Sequence, residues 1–261
     1  MTLAVNRAID PTRTVTLRNE FRRFYGAAWL RVGTRAQELA REAARFDTPF
    51  DRLQYFNNRI GYIVDEEMRN AENDAGHGIR ALAMAAYLRG MKQADADARV
   101  LDVEIYDEPR DAIRRRDHNE ELAALLLLLL LDFRGMNDNA LARLRAAYSA
   151  AIMGGGNGIS EIGEATRTTA SNNVTGFVST GVVRAFNNGI LGRFAQIGVL
   201  LVGGLIEQQF TTAGDSRVCP LCLALEQQDN GRGPGVFTLA QAAGVIPVHR
   251  RCRCRWRGVS R

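Results

Sequence analysis

The feature that most limits how this chain can fold is a split cluster of thiol and imidazole side chains near its C-terminus. Cys219-x-x-Cys222 lies in "RVCPLCLALE" and His249-x-x-Cys252-x-Cys254 in "VHRRCRCRW"; the two stretches hold all four cysteines of the 261-residue sequence and one of its three histidines. A C-x-x-C turn lets two thiolates approach one ion from the same side, and ligands from a distant segment complete a tetrahedron. The chain between the two stretches must therefore loop out and return. Five candidates for four places leave one spare, Cys252 or Cys254, and spacing alone does not choose between them.

Three readings of the cluster compete. Disulfides suit an oxidising compartment, but "MTLAVNRAIDPTRTVTLRNEF" is interrupted by charge within its first ten positions, so a secretion leader is not expected. In a reducing compartment clustered cysteines are more often metal ligands than disulfides. A thioredoxin-like pair accommodates Pro220 inside the C-x-x-C but requires strand–helix surroundings that this stretch lacks. A structural Zn2+ site fits best. A catalytic site keeps a coordination position open and sets a base beside it, whereas this cluster offers mostly thiolates and enough of them to close the shell, so no enzyme is expected. His77 and His118 have no metal-ligand spacing and read as ordinary polar residues, and Asp215 reads as a turn former.

Upstream, the pattern is helical. Apolar residues recur at three- and four-residue steps over 15–46, are punctuated by Asp47-Thr48-Pro49, and resume over 50–73 and over 76 to about 95. The charged stretch "VLDVEIYDEPRDAIRRRDHNEE", broken by Pro109, reads as a loop or short extended piece. "NEELAALLLLLLLDFRG" reads as a helix ended by Gly135; seven successive leucines are apolar on every face, which predicts burial all round or packing in an oligomer. A separate helix is expected over 137–153, then the flexible joint Gly154–Gly158, a helix from Ser160 into Gly181, and a strand or hairpin within "IGVLLVGGLIEQQFTTAGDSRV". At 46% hydrophobic residues the chain can bury a real core, while its longest apolar runs fall short of the roughly 18–20 residues of a membrane span. The expectation is a mainly α protein: a helical domain over 1–153, then a region over 154–261 with a small α+β lobe at about 205–256 organised around the zinc knuckle.

Taken together, "TTAGDSRVCPLCLALE" and "GVFTLAQAAGVIPVHRRCRCRW" resemble the C-terminal signature of the phage head-morphogenesis proteins, the Mu protein F-like minor head family. The matching positions are Thr212, Asp215, Arg217, Cys219 and Cys222, then Pro247, His249, Cys252, Arg253 and Cys254. Upstream, "EATRTTASNN" is similar to the family's A-R-T-E segment, keeping Arg167 and Thr168 but carrying Thr169 where Glu is expected. The resemblance spans residues 160–256 and implies a minor structural protein of a tailed-phage head. It further implies a place inside the capsid near the portal vertex, after assembly in the host cytoplasm, with the portal or major capsid protein as partner and no membrane. The formal charge of +5 permits contact with packaged DNA through Arg250, Arg251, Arg253, Arg255 and Arg257. The alternative is a zinc-dependent DNA-binding protein using that Arg-rich terminus.

Overall fold

Thr48 and Pro49 start a helix for separable reasons: the Thr48 hydroxyl accepts a hydrogen bond from the Asp51 N–H at 3.1 Å, and proline costs nothing at the first helical position. In the computed structural model, which describes residues 12–103, 105, 108–113, 116–200 and 206–260, that cap opens α2 (Pro49–Glu72) after α1 (Val15–Ala43). Phe56, Ile60, Val64, Met68 and Ala71 form the buried stripe of α2, at the helical spacing the sequence shows. Helix α3 (Ile79–Val100) starts later and ends later than expected. The Asp74 carboxylate holds the Gly76 and His77 N–H groups at 2.9 and 2.6 Å, which fixes a turn there instead of helix. A short α4 (Pro109–Ala112) follows; residues 104, 106, 107, 114 and 115 of the expected loop lie outside the described residues.

The two helices expected on either side of Gly135 are one, α5 (Arg116–Met153). Its buried side is continuous through the glycine: Leu125, Leu129, Phe133, Met136, Ala140, Leu144, Tyr148 and Ile152. One internal glycine costs about 1 kcal/mol relative to alanine, far less than an interrupted apolar stripe would lose. The leucine run is likewise buried on one side only. Leu125 and Leu129 are 1% and 0% exposed, but Leu127, Leu128 and Leu131 are 59%, 49% and 57% exposed, because a single straight helix turns every fourth residue inward whatever its neighbours are.

After the Gly154–Gly158 joint come α6 (Ile159–Thr168), a π turn over Thr169–Asn173 and α7 (Val174–Leu200). The helix expected to stop at Gly181 thus continues to Leu200, and Ile197–Leu200, read as the start of a strand, are helical. Phe186, Ile190, Phe194 and Ile197 keep the helical spacing and are all buried. Residues 201–205 of the expected strand lie outside the described residues; β1 (Ile206–Thr211) follows them. Among the described residues no helix is long and apolar enough to cross a membrane.

The C-terminal lobe is a small α+β assembly, as expected. Strand β1 lies between β2 (Val236–Phe237) and β3 (Arg255–Ser260), antiparallel to both, with Gln208 opposite Phe237 and Phe210 opposite Trp256. Helices α8 (Pro220–Gln227) and α9 (Leu239–Ala242) fill the connection. Phe210 and Phe237 meet the Trp256 ring edge-on at 5.5 and 5.4 Å.

The chain forms two compact units, and they do not divide at residue 153. One consists mainly of Leu82–Leu127 with Ser179–Arg261, the other of Asn19–Ala81 with Leu128–Val178. The reason is helix length: α3, α5 and α7 each contribute residues to both. In the first unit, α3 and α7 touch through reciprocal glycines. A Cβ at Gly90 would sit 1.9 Å from the Phe186 carbonyl oxygen, and one at Gly189 would sit 2.1 Å from that of Tyr87, so neither position admits a side chain. In the second unit Phe56 stacks on Tyr148 at 3.9 Å within a core that includes Leu39, Ile60, Leu144 and Ile162.

Candidate metal centre

Cys219 caps α8. It has extended backbone, its Sγ accepts from the Cys222 N–H at 3.4 Å, and Pro220 occupies the first helical position. The C-P-L-C sequence therefore turns both sulfurs to one side by ordinary capping chemistry. The second ligand segment is bent by another tight turn: the Cys252 N–H bonds the His249 carbonyl at 3.1 Å. Arg251 sits there in the left-handed region with its N–H on the Thr180 hydroxyl at 3.2 Å.

These two turns bring all five candidates together. The ligand atoms of Cys219, Cys222 and His249 lie within 4.8 Å of one another, as do those of Cys222, Cys252 and Cys254, so Cys222 is common to both groups. All four cysteines are free, not paired as disulfides. The His249 tautomer follows from its partners. Nδ1 lies 2.8 Å from the Arg250 carbonyl, which can only accept, so Nδ1 carries a proton and Nε2 is the ring atom left to face the cluster. Nε2 faces the Cys222 sulfur at 3.3 Å, close to the roughly 3.5 Å that separates nitrogen and sulfur ligands around a tetrahedral zinc. A cavity of about 20 Å³, room for little more than one water, is lined by Cys219, Cys222, His249 and Cys254 together with Arg217, Arg251 and Arg253. Cys252 is fully buried and hydrogen-bonds Cys254. This cluster can hold a metal ion.

The thiols' proton affinities are split by their mutual contact. A hydrogen bond from Cys254 draws the Cys252 thiol down to about 5, while burial pushes Cys222 up to about 12 and the Cys252 neighbour pushes Cys254 up. A cation is the natural way to let several of these sulfurs be anionic at once.

Asp215 does more than form a turn. Its carboxylate accepts from the Arg217 N–H at 3.0 Å, as an ordinary turn residue does, and also takes a two-pronged hydrogen bond from Arg253 at 2.7 and 2.6 Å. The clamp joins the segment before the first cysteine pair to the residue between the last two. The signature contains both residues, but their contact was not readable from it, since an Asp–Arg pair 38 residues apart leaves no periodic trace. Arg253 above all holds the Asp215 carboxyl well below the usual carboxylate range. Glu226 of α8 adds a second strap, accepting from the Thr212 N–H and hydroxyl at 2.9 and 2.8 Å. Asn187 of α7 adds a third, donating to the Cys254 carbonyl at 3.2 Å and accepting from the Trp256 N–H at 2.8 Å.

Compared with known proteins, the chain matches no family model, no curated protein and no solved structure. The remaining residues singled out from sequence therefore stand on geometry alone. His118 is buried, with Nδ1 2.8 Å from the Tyr87 hydroxyl and Nε2 3.1 Å from Gln196 Oε1, whereas His77 lies at the surface stacked on Phe24 at 4.9 Å. Of the C-terminal arginines, Arg253 is engaged by Asp215, and Arg255, only 14% exposed in its side chain, pairs with Asp97 at 3.2 Å. Arg250, Arg251 and Arg257 are exposed.

Proposed function

We propose that this chain is a minor structural protein of a tailed-phage head, bound inside the capsid near the portal and aiding assembly or genome delivery. One structural Zn2+ fastens its C-terminal lobe, and the chain has no catalytic role. The observation that carries the metal reading is that Cys219, Cys222, His249 and Cys254 line one small cavity, with Cys222 shared by two groups of ligand atoms that each lie within 4.8 Å of one another. These four would be the ligands, with Cys252 in contact behind Cys254; a bound zinc would close the shell and add folding free energy without offering an open position. The phage-head reading rests on the order and spacing of Asp215, Arg217, Cys219 and Cys222 followed by Pro247, His249, Cys252, Arg253 and Cys254. The Asp215–Arg253 clamp supports it by giving two otherwise unremarkable members of that signature a shared task. The portal or the major capsid protein would be the partner. Packaged DNA would be met through the exposed Arg250, Arg251 and Arg257; Arg253 and Arg255 lie deeper and are engaged by Asp215 and Asp97.

Protein purified under reducing conditions is expected to contain one zinc per chain by elemental analysis; its absence removes the metal reading. Imaging of assembled particles should find the chain at the portal vertex, and particles of normal composition without it would remove the viral one. Asp215→Asn is expected to let a chelator strip the ion about tenfold faster, as loss of a supporting shell does elsewhere. Because the folded-state affinity of Asp215 for a proton is depressed, its contribution is present above the unfolded carboxylate value of about 4 and is lost as pH falls. The Asn variant should therefore show a flatter dependence of metal loss on acidification.

A further inference from the structure

The segment "EATRTTASNN" is not used by the Cys/His cluster, yet it forms one wall of an open groove of about 880 Å³, which lies wholly within the Asn19–Ala81 and Leu128–Val178 unit. The opposite wall is α1. There the buried Gly26 of α1 faces the Ala170 carbonyl oxygen, which lies 3.6 Å, ordinary contact distance, from where a Cβ would be. Ala170 belongs to the π turn, a local widening that recurs at functional sites.

The groove is cationic on both sides. Arg22 and Arg23 project from α1 and Arg167 from α6, against the single carboxylate of Glu164. Glu164 holds Arg167 at 3.0 Å, but both side chains are at least 65% exposed, and an ion pair so wet is weak enough for a phosphate to share the guanidinium. The hydroxyls along the wall are already engaged: Ser171 and Thr175 give theirs to the carbonyls of Thr168 and Ser171, and Thr168 gives its own to Glu164. The guanidiniums are the cationic donors of the groove, and their planar forks match phosphate oxygens two at a time. Linked phosphates offer oxygens to arginines of both walls at once. Beside the arginines, Ala27 and the half-exposed Leu30 offer an apolar shelf suited to a flat ring. The volume falls in the range of small-ligand sites, about 300–1,000 Å³.

We infer that this groove binds a nucleoside di- or triphosphate, its phosphates between Arg22, Arg23 and Arg167 and its base against Ala27 and Leu30. Calorimetry on the full chain with ATP, tripolyphosphate and adenosine tests this. ATP should bind more tightly than tripolyphosphate, and adenosine should not bind measurably. Each of Arg22→Ala, Arg23→Ala and Arg167→Ala should weaken ATP by about tenfold, the loss of one charged hydrogen-bonding partner. Glu164→Gln, which removes the competing carboxylate, should strengthen it. The Arg22 and Arg23 side chains are exposed on α1, so those variants keep the test open should Arg167→Ala unfold, with helix content checked by circular dichroism. Absence of ATP binding at millimolar concentration overturns the assignment. So do ATP no tighter than tripolyphosphate, affinity indifferent to all three arginines, or a single-stranded DNA that binds through the same arginines more tightly than ATP.

Discussion

On the zinc reading proposed for the cluster, Cys222→Ser is expected to abolish metal binding and unfold the C-terminal lobe together with the parts of α3 and α7 that share its core. Cys222 is the one sulfur common to both ligand groups, and it is 1% exposed. Its sulfur also belongs to the packing: Cys222, Cys252 and Cys254 lie in one apolar cluster with Ala94, Ala98, Phe194, Phe210, Phe237 and Trp256. Zinc binding to such ligand sets contributes on the order of 10 kcal/mol, comparable to the whole stability of a typical domain, about 5–15 kcal/mol. Serine removes the ligand and leaves a buried hydroxyl in its place. Hydrogen exchange should therefore rise over Leu82–Val100, Ser179–Leu200 and the strands, while the Phe56–Tyr148 core of the other unit keeps its protection. Zinc still at one per chain, or a uniform loss of protection, would contradict this. Cys252→Ser is the informative companion. If Cys252 stands behind the ligand shell, that variant keeps its zinc with some loss of affinity.

The ligand cluster was legible because metal chemistry demands particular residue types at short spacings, and the turns that aim Cys219 and His249 are themselves local. Helices α1 and α2 were legible for a similar reason: a stripe such as Phe56, Ile60, Val64 and Met68 repeats within one element. What sequence did not give depends on comparison across elements or on sums over long ones. Gly135 looks like a stop until Phe133, Met136 and Ala140 are seen to continue one buried stripe through it. The leucine run hides its own inward face, because every position is equally apolar and only a neighbour decides which side is covered. Val-, Leu- and Ile-rich residues at 197–200 favour strand by local preference and are helical because Phe186, Ile190 and Phe194 carry the helix past them. The Asp215–Arg253 clamp and the interleaved compact units are nonlocal throughout, so no window of sequence contains them.

The other large effect concerns a charge rather than a metal. Arg193→Met is expected to destabilise the fold by about 3–5 kcal/mol, the usual cost of leaving one member of a buried ion pair alone. The guanidinium of Arg193, 2% exposed, gives Nε to one Asp95 oxygen at 2.6 Å and Nη2 to the other at 3.3 Å, and holds Gln196 Oε1 at 2.8 Å. Burial pushes the Asp95 carboxyl above its ordinary proton affinity in spite of Arg193. A raised carboxyl means that the folded state holds the proton more tightly than the unfolded one. The charged pair is thus a net burden on folding that grows as pH rises through the folded value and is relieved in acid. Two expectations follow from that sign. The Met variant should recover stability as pH is lowered, and should do so more steeply than the parent chain. Adding Asp95→Leu to Arg193→Met should restore most of the loss at neutral pH, because two apolar side chains of similar bulk need no solvation. Denaturant midpoints of the two single variants and the double close the cycle, and strictly additive losses would show that Asp95 and Arg193 are not the coupled pair their geometry describes.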